Sequence, residues 1–261
     1  MSEDHTASRR AAIGIVLIFL VSSTVGCLSD SQDHKGIELI VHYENTNGTI
    51  VDSYIDGDHV STTNVFLDFD FSNTISENNL VEYGIQIDND SEIFSVDPNI
   101  QSTISVEFSH HGIYEIIAYA MDDNNNLENK SITIRIEQQI NWLESNTYEP
   151  TPLPIIPFPN NEGVLPSAII INSTVENPVL IENIGGGREV EITWRLLDEQ
   201  EDACQSKNAI VYEGEQATWK TIHFNTVETH ELSISYDDGQ DYIDVNHSVL
   251  IQYPSLESSS N

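Results

Sequence analysis

Apolar residues recur at every second position in short runs along most of this chain. Val65, Leu67, Phe69 and Phe71 alternate with Phe66, Asp68 and Asp70, and Ile104, Val106 and Phe108 alternate with Thr103, Ser105 and Glu107. The same period returns at Ile132, Ile134 and Ile136, at Ile192, Trp194 and Leu196, at Leu232, Ile234 and Tyr236, and at Val249, Ile251 and Tyr253. Side chains on a strand point to opposite faces in turn, so each run predicts one core face and one wet face. Clusters of Asn, Asp, Ser and Gly separate the runs, and no long stretch repeats at helical spacing. The pattern predicts an all-β chain built of antiparallel sandwiches.

The alternation spans Ile37 to Gln138 and resumes from Gly163 to Pro254. Between them, residues 139–162 carry Pro150, Pro152, Pro154, Pro157 and Pro159, which fix φ and remove backbone donors. That segment predicts an extended spacer between two sandwiches, 37–138 and 163–254. Trp142 precedes it and is expected to clamp the end of the first domain. The two halves resemble each other at their ends. Phe108 leads through His110, His111 and Tyr114 to Asp122–Asp123 and a last strand from Asn129; Phe224 leads through His230 to Asp237–Asp238 and a last strand from Asn246. The offset of Phe224 from Phe108, 116 residues, suits one domain plus a linker.

The beginning departs from all of this. Arg9 and Arg10 precede eleven apolar residues, Ala11 to Val21, and small residues follow up to Cys27. A charged start, a short apolar middle and a small-residue exit predict a secretory signal over residues 1–27, with 28–36 as a polar tether. Thr24-Val25-Gly26-Cys27 resembles the lipobox of prokaryotic lipoproteins, which implies that Cys27 is the lipidated first residue of the mature chain. The alternative is an uncleaved membrane helix, since Ala11 to Leu28 nearly reaches across a bilayer. Both place the bulk of the chain outside the cell, held to the outer face of the membrane by its N-terminus. The tail, 255–261, is polar.

Charge narrows the partners. The chain carries 43 acidic and 9 basic residues, a net charge of −34, and such a surface repels phosphate backbones, so nucleic acid is excluded as a partner. One-signed charge also favours solubility in salty water. A hydrophobic fraction of 39% nevertheless predicts packed cores. With only two cysteines, one of them at the lipobox, no disulfide framework holds the chain.

Phe108, Gly112, Tyr114, Asp122 and Asp123 form a pattern that resembles PKD and related immunoglobulin-like domains of prokaryotic surface proteins, those of archaea included. The Trp-Asp-Phe-Gly-Asp-Gly strand signature of PKD domains is replaced here by Ile85-Gln86-Ile87-Asp88-Asn89-Asp90. The second half has Trp194 in a middle strand and no Gly-x-Tyr turn. The resemblance implies two tandem immunoglobulin-like sandwiches serving adhesion, spacing or ligand binding.

Candidate chemistry is sparse. Asp122, Asn124, Asn126 and Glu128 place oxygens at alternate loop positions, as calcium sites do, although Leu127 stands in the place of the turning glycine. A polar hairpin rich in turn formers explains the same residues, so no cofactor is expected, and these four are the candidate site should calcium bind. His110 and His111 are expected to be a solvated loop pair, and Gly185–Gly187 a flexible turn. Cys204 sits among acids that disfavour a thiolate nucleophile. Asn47, Asn89, Asn129, Asn172 and Asn246 head Asn-x-Ser/Thr triplets and are glycosylation candidates. No acid, base and nucleophile converge. The reading is a non-catalytic binding, adhesion or spacer protein whose partner is a surface protein or glycan. Its alternative is an accessory or substrate-docking subunit of an extracytoplasmic enzyme or transporter complex.

Overall fold

The alternating runs become fifteen strands in the computed structural model, which describes residues 36–87, 92–179, 188–239 and 241–255. The leader with Cys27, nearly all of the tether, Asn89, Gly185–Gly187 and the tail past Ser255 lie outside those residues. In chain order the strands are β1 (Asn47–Ile55), β2 (Asp58–Thr63), β3 (Val65–Asp70), β4 (Leu80–Ile87), β5 (Glu92–Val96), β6 (Thr103–Phe108) and β7 (Gly112–Asp122). There follow β8 (Leu127–Thr147), β9 (Leu153–Ile155), β10 (Ala168–Glu176), β11 (Val190–Leu197), β12 (Ala203–Val211), β13 (Gln216–His223), β14 (His230–Asp238) and β15 (Ile243–Gln252). No helix occurs among the described residues.

One strand organises the rest. β8 runs for 21 residues. Its first part, Leu127 to Ile136, pairs antiparallel with β7, and its second, Gln138 to Thr147, pairs antiparallel with β15. β1 lies parallel to residues 135–143 along the other side. The resulting nine-stranded sheet runs β13-β10-β15-β8-β7-β4-β5, with β1 and β2 attached through β8. A two-stranded sheet, β3-β6, covers its first half, and a four-stranded sheet, β12-β11-β14-β9, covers its second.

The chain is therefore all-β, with two sandwiches in tandem and a core inside each. The first core gathers Phe69, Phe71, Ile85, Ile116, Ile134 and Ile136. The second gathers Trp142, Ile155, Ile169, Trp194, Leu232 and Ile251. Burying side chains of this size contributes about 1.5–3 kcal/mol each before the entropy of ordering is counted. Two details are typical of immunoglobulin-like sandwiches. Tyr114, at the start of β7, donates its hydroxyl to the His110 carbonyl at 2.7 Å, as the tyrosine does at an immunoglobulin corner. Trp194 is fully buried in mid-strand and donates from Nε1 to Ser173 Oγ at 2.7 Å.

Three expectations are corrected. Residues 139–162 are not a spacer: 139–147 complete β8, and Leu153 and Ile155 are buried in β9, paired with β14. Pro154 is tolerated there because β9 is an edge strand and the proline faces outward. Trp142 belongs to the second core, stacked on Tyr54 with ring centroids 5.4 Å apart, and does not close the first. Finally, the matching ends of the two halves differ in topology. β7 and β8 are hydrogen-bonded neighbours, whereas β14 and β15 lie in facing sheets.

Candidate functional site

The candidate calcium loop is the turn between β7 and β8. Asp122 is buried, and both of its oxygens are engaged. Oδ1 accepts the backbone N–H groups of Asn124 at 3.0 Å and Asn126 at 2.9 Å. Oδ2 accepts the side-chain amides of Asn126 and Asn78, each at 2.8 Å. Burial works to raise the Asp122 pKa, but these donors outweigh it and hold the carboxyl below the usual range. Four N–H donors occupy the lone pairs that an ion would need. The oxygens at 122 and 126 thus build a hydrogen-bonded turn, with Asn125 in the left-handed region at φ 60°, while Asn124 and Glu128 are exposed. The alternation that resembled a cation loop is accounted for by turn geometry.

The histidines do not behave as a solvated pair either. His111 is buried where the two halves meet, and its Nδ1 shares a 2.8 Å hydrogen bond with the Tyr253 hydroxyl. Desolvation, and then the neighbouring His110, push its pKa down to about 4. His247 is equally hidden, with Nδ1 at 2.8 Å from Ser173 Oγ, and desolvation lowers it to about 4.

A third histidine group was not legible in the sequence. His223 ends β13, His230 begins β14 and Cys204 lies at the start of β12. The two imidazoles meet edge to face with centroids 4.5 Å apart, and one ligand atom from each of the three side chains lies within 4.8 Å of the others. Among the described residues this is the one such group of His, Cys, Asp and Glu. Burial, then His230, lowers the His223 pKa, and burial, then Asp198, raises that of the Cys204 thiol. The three residues are 19 and 7 apart in the sequence, spacings that match no local metal motif.

The most exposed aromatic cluster sits where β8 ends and β15 begins. Tyr148 follows β8, Tyr242 precedes β15 and Tyr236 stands in β14. Tyr148 and Tyr242 overlap with ring centroids 4.1 Å apart, and Tyr148 meets Tyr236 edge-on at 5.7 Å. Tyr148 is 45% exposed and Tyr242 40%. Tyr236 donates to the Asp241 carbonyl at 2.7 Å. Gly239 lets the chain pass beneath it: φ is 143°, and an added Cβ would lie 2.6 Å from the Tyr236 hydroxyl. Asp238 is exposed close to Tyr236, whereas Asp237, also exposed, accepts from the Thr193 hydroxyl of the neighbouring strand. Asp241 is buried and accepts the Arg188 N–H at 3.0 Å.

Four glycosylation candidates fall within the described residues. Asn47, Asn129, Asn172 and Asn246 are all exposed, on β1, β8, β10 and β15. In the first half, an open cleft of about 470 Å³ is lined by His42, Tyr43, Phe66, Asp68 and Asp70. Asp70 there already accepts from the backbone and hydroxyl of Ser72, which lower its pKa.

No protein-family model matches the chain, and no curated protein sequence does. Solved structures give partial likenesses. One is described as carbohydrate-binding modules from the β-sandwich superfamily, at 9% identity and a TM-score of 0.31, over 81% of this chain and 96% of that one. A calcium-binding mutant of Bacteroides uniformis β-glucuronidase 2 has 10% identity and a TM-score of 0.28, over 80% of this chain and 30% of that one. The Bacteroides ovatus mixed-linkage glucan utilization protein SGBP-B, in complex with a heptasaccharide, has 9% identity and a TM-score of 0.23, over 79% and 53%. Scores this low leave the strand order given above as the definition of the fold.

Proposed function

We propose that this is an exported, membrane-tethered binding protein without catalytic activity, which presents the Tyr148–Tyr236–Tyr242 cluster to a surface glycan. The observation that carries the reading is the cluster itself. Two phenol rings stand exposed at one end of the second sandwich, stiffened by stacking, with carboxylates beside them. Tyrosine offers a large rigid face at small entropic cost. The C–H face of a sugar ring packs on such a surface, while its hydroxyls donate to Asp238. Burial, and then Tyr242, hold the Tyr148 phenol above its usual pKa, so it stays protonated and able to donate.

The position of the cluster supports the same reading. The chain enters the first sandwich at Glu38, whose N–H donates to the Ile75 carbonyl at 2.7 Å. Asn78 and Asn79, a few residues on, hold the turn that starts β8 through Asp122 and Asp123. Tyr148 follows the other end of that strand. At about 3.3 Å per residue, β8 separates the two ends by roughly 65 Å. The tyrosines therefore lie at the far end of β8 from the point where the chain enters the first sandwich.

A glycan array probed with the full-length protein in detergent, with products monitored by mass spectrometry, tests the reading. Saturable binding with no product is the expected result; turnover of any bound glycan contradicts it. The tether has its own test. The native protein is expected to carry lipid on an N-terminal Cys27, and Cys27→Ala to block both modification and cleavage. An unmodified Cys27 inside an intact leader decides for the plain membrane helix.

A further inference from the structure

We infer that Cys204, His223 and His230 form a zinc-binding site that clips together the two facing sheets of the second sandwich at their open edge. β13 ends the nine-stranded sheet and β12 ends the four-stranded one, so no further strand covers the seam between them. The three side chains stand across that seam.

The first observation is a pair of orphaned atoms. His223 is 9% exposed and His230 3%, yet His223 Nε2 and His230 Nδ1 are buried with no hydrogen-bond partner. Leaving a buried polar atom so is destabilising, and here two such atoms belong to rings in contact. Orphaned atoms occur elsewhere, as at Trp142 Nε1 and Asn177 Oδ1, but those belong to no group of converging ligand atoms. The second observation is a tautomer set for coordination. His230 Nε2 lies 2.8 Å from the Asn225 carbonyl, which can only accept, so the ring proton sits on Nε2. The Nδ1 lone pair therefore remains without a hydrogen bond, in a ring whose ligand atoms converge with those of His223 and Cys204. A ligating histidine is commonly oriented in this way, by donating its other nitrogen to a backbone carbonyl.

The third observation is that the loop carrying this carbonyl is held in place. Thr226 Oγ1 donates to the Pro166 carbonyl at 2.7 Å, and the Thr229 N–H donates to Glu199 Oε1 at 3.1 Å. Only Cys204 is exposed, and its side chain can turn toward the imidazoles. Zinc bound at about 2.3 Å from sulfur and 2.0–2.1 Å from nitrogen sets its ligands about 3.5 Å apart, so the present spacing closes with shifts near 1 Å. The fourth position faces the exposed side, toward water and Asp198, whose Oδ2 is 4.0 Å from Sγ.

The donor set selects the ion. One thiolate and two imidazoles suit a borderline ion, whereas magnesium and calcium take oxygen ligands. A His₂Cys set with an axial methionine would suit copper. The one methionine among the described residues, Met121, lies in β7 of the other half. Zinc, which needs no axial sulfur, fits the residues present.

The test is a titration of the full-length protein, stripped with a chelator, against Zn²⁺ in competition with a chromophoric chelator. The acidic surface holds many cations weakly, so binding alone does not define the site; the variants do. One ion per chain is expected to resist displacement by Mg²⁺ or Ca²⁺ at equal ionic strength. Cys204→Ser and His230→Gln are each expected to weaken that affinity more than about tenfold. Cys204→Ser should leave the metal-free melting temperature unchanged. Co²⁺ in place of zinc should give a thiolate charge-transfer band that Cys204→Ser abolishes. Should His230→Gln fail to fold, Cys204→Ser, at an exposed residue, decides alone. Zinc affinity unchanged in Cys204→Ser, or a cobalt complex without the thiolate band, overturns the inference.

Discussion

Two polar clusters in this protein invite comparison: the Asp122 turn of the first sandwich and the Cys204–His223–His230 group of the second. In the first, one buried carboxylate faces four donors and every oxygen is used. In the second, two rings in contact each carry a buried nitrogen with no hydrogen-bond partner. The sequence pointed to the first as a site and passed over the second. Partner accounting reverses that order. A buried polar group whose bonds are complete is doing structural work, while one left incomplete has capacity for a ligand.

The partnered histidines carry the largest effect by which this distinction can be broken. His111 and His247 are buried as neutral bases with pKa values near 4, against 6.5 when unfolded. The unfolded chain therefore binds protons that the folded chain refuses. Their contribution is complete above pH 6.5 and is lost as pH falls from 6.5 through 4, about 3 kcal/mol for each. Urea unfolding at pH 7 and pH 4 should show wild type losing about 3 kcal/mol more than His111→Gln, which cannot take up that proton. Equal losses would mean that His111 is not held neutral by its site.

A smaller effect separates turn from ion site at Asp122. Asp122→Ala removes the acceptor for four donors and is expected to lower the melting temperature whether or not calcium is present. Calcium should act on the wild type no differently from magnesium at equal ionic strength. A calcium-specific rise in melting temperature, abolished by Asp122→Ala, would restore the cation reading.

The strands that could be read in advance were those whose buried positions are uniformly apolar. Ile104, Val106 and Phe108, or Leu67 and Phe69, are buried at alternate positions as their pattern requires. β8 was legible only to Ile136. Its burial period continues through Ile140, Trp142 and Glu144, but a buried glutamate reads as polar and hides the continuation. Glu144 is accommodated because its carboxylate accepts the Thr151 N–H at 2.9 Å. β9 was hidden by its prolines, which an edge strand allows. The acidic turn at Asp122 was found because its residues are neighbours in sequence. The histidine group was missed because three strands from two sheets bring it together, and no local spacing records that. The tyrosines are likewise joined only by the fold, from the end of one strand, the middle of another and the approach to a third.

The account stands most directly on those tyrosines. Isothermal titration of an array-identified glycan into wild type, Tyr148→Ala and Tyr242→Ala gives the decisive comparison. Each ring should contribute about 1–2 kcal/mol of contact, so each variant is expected to bind roughly tenfold more weakly, with its melting temperature little changed at these exposed positions. Glycan affinity unchanged in both variants would contradict the account.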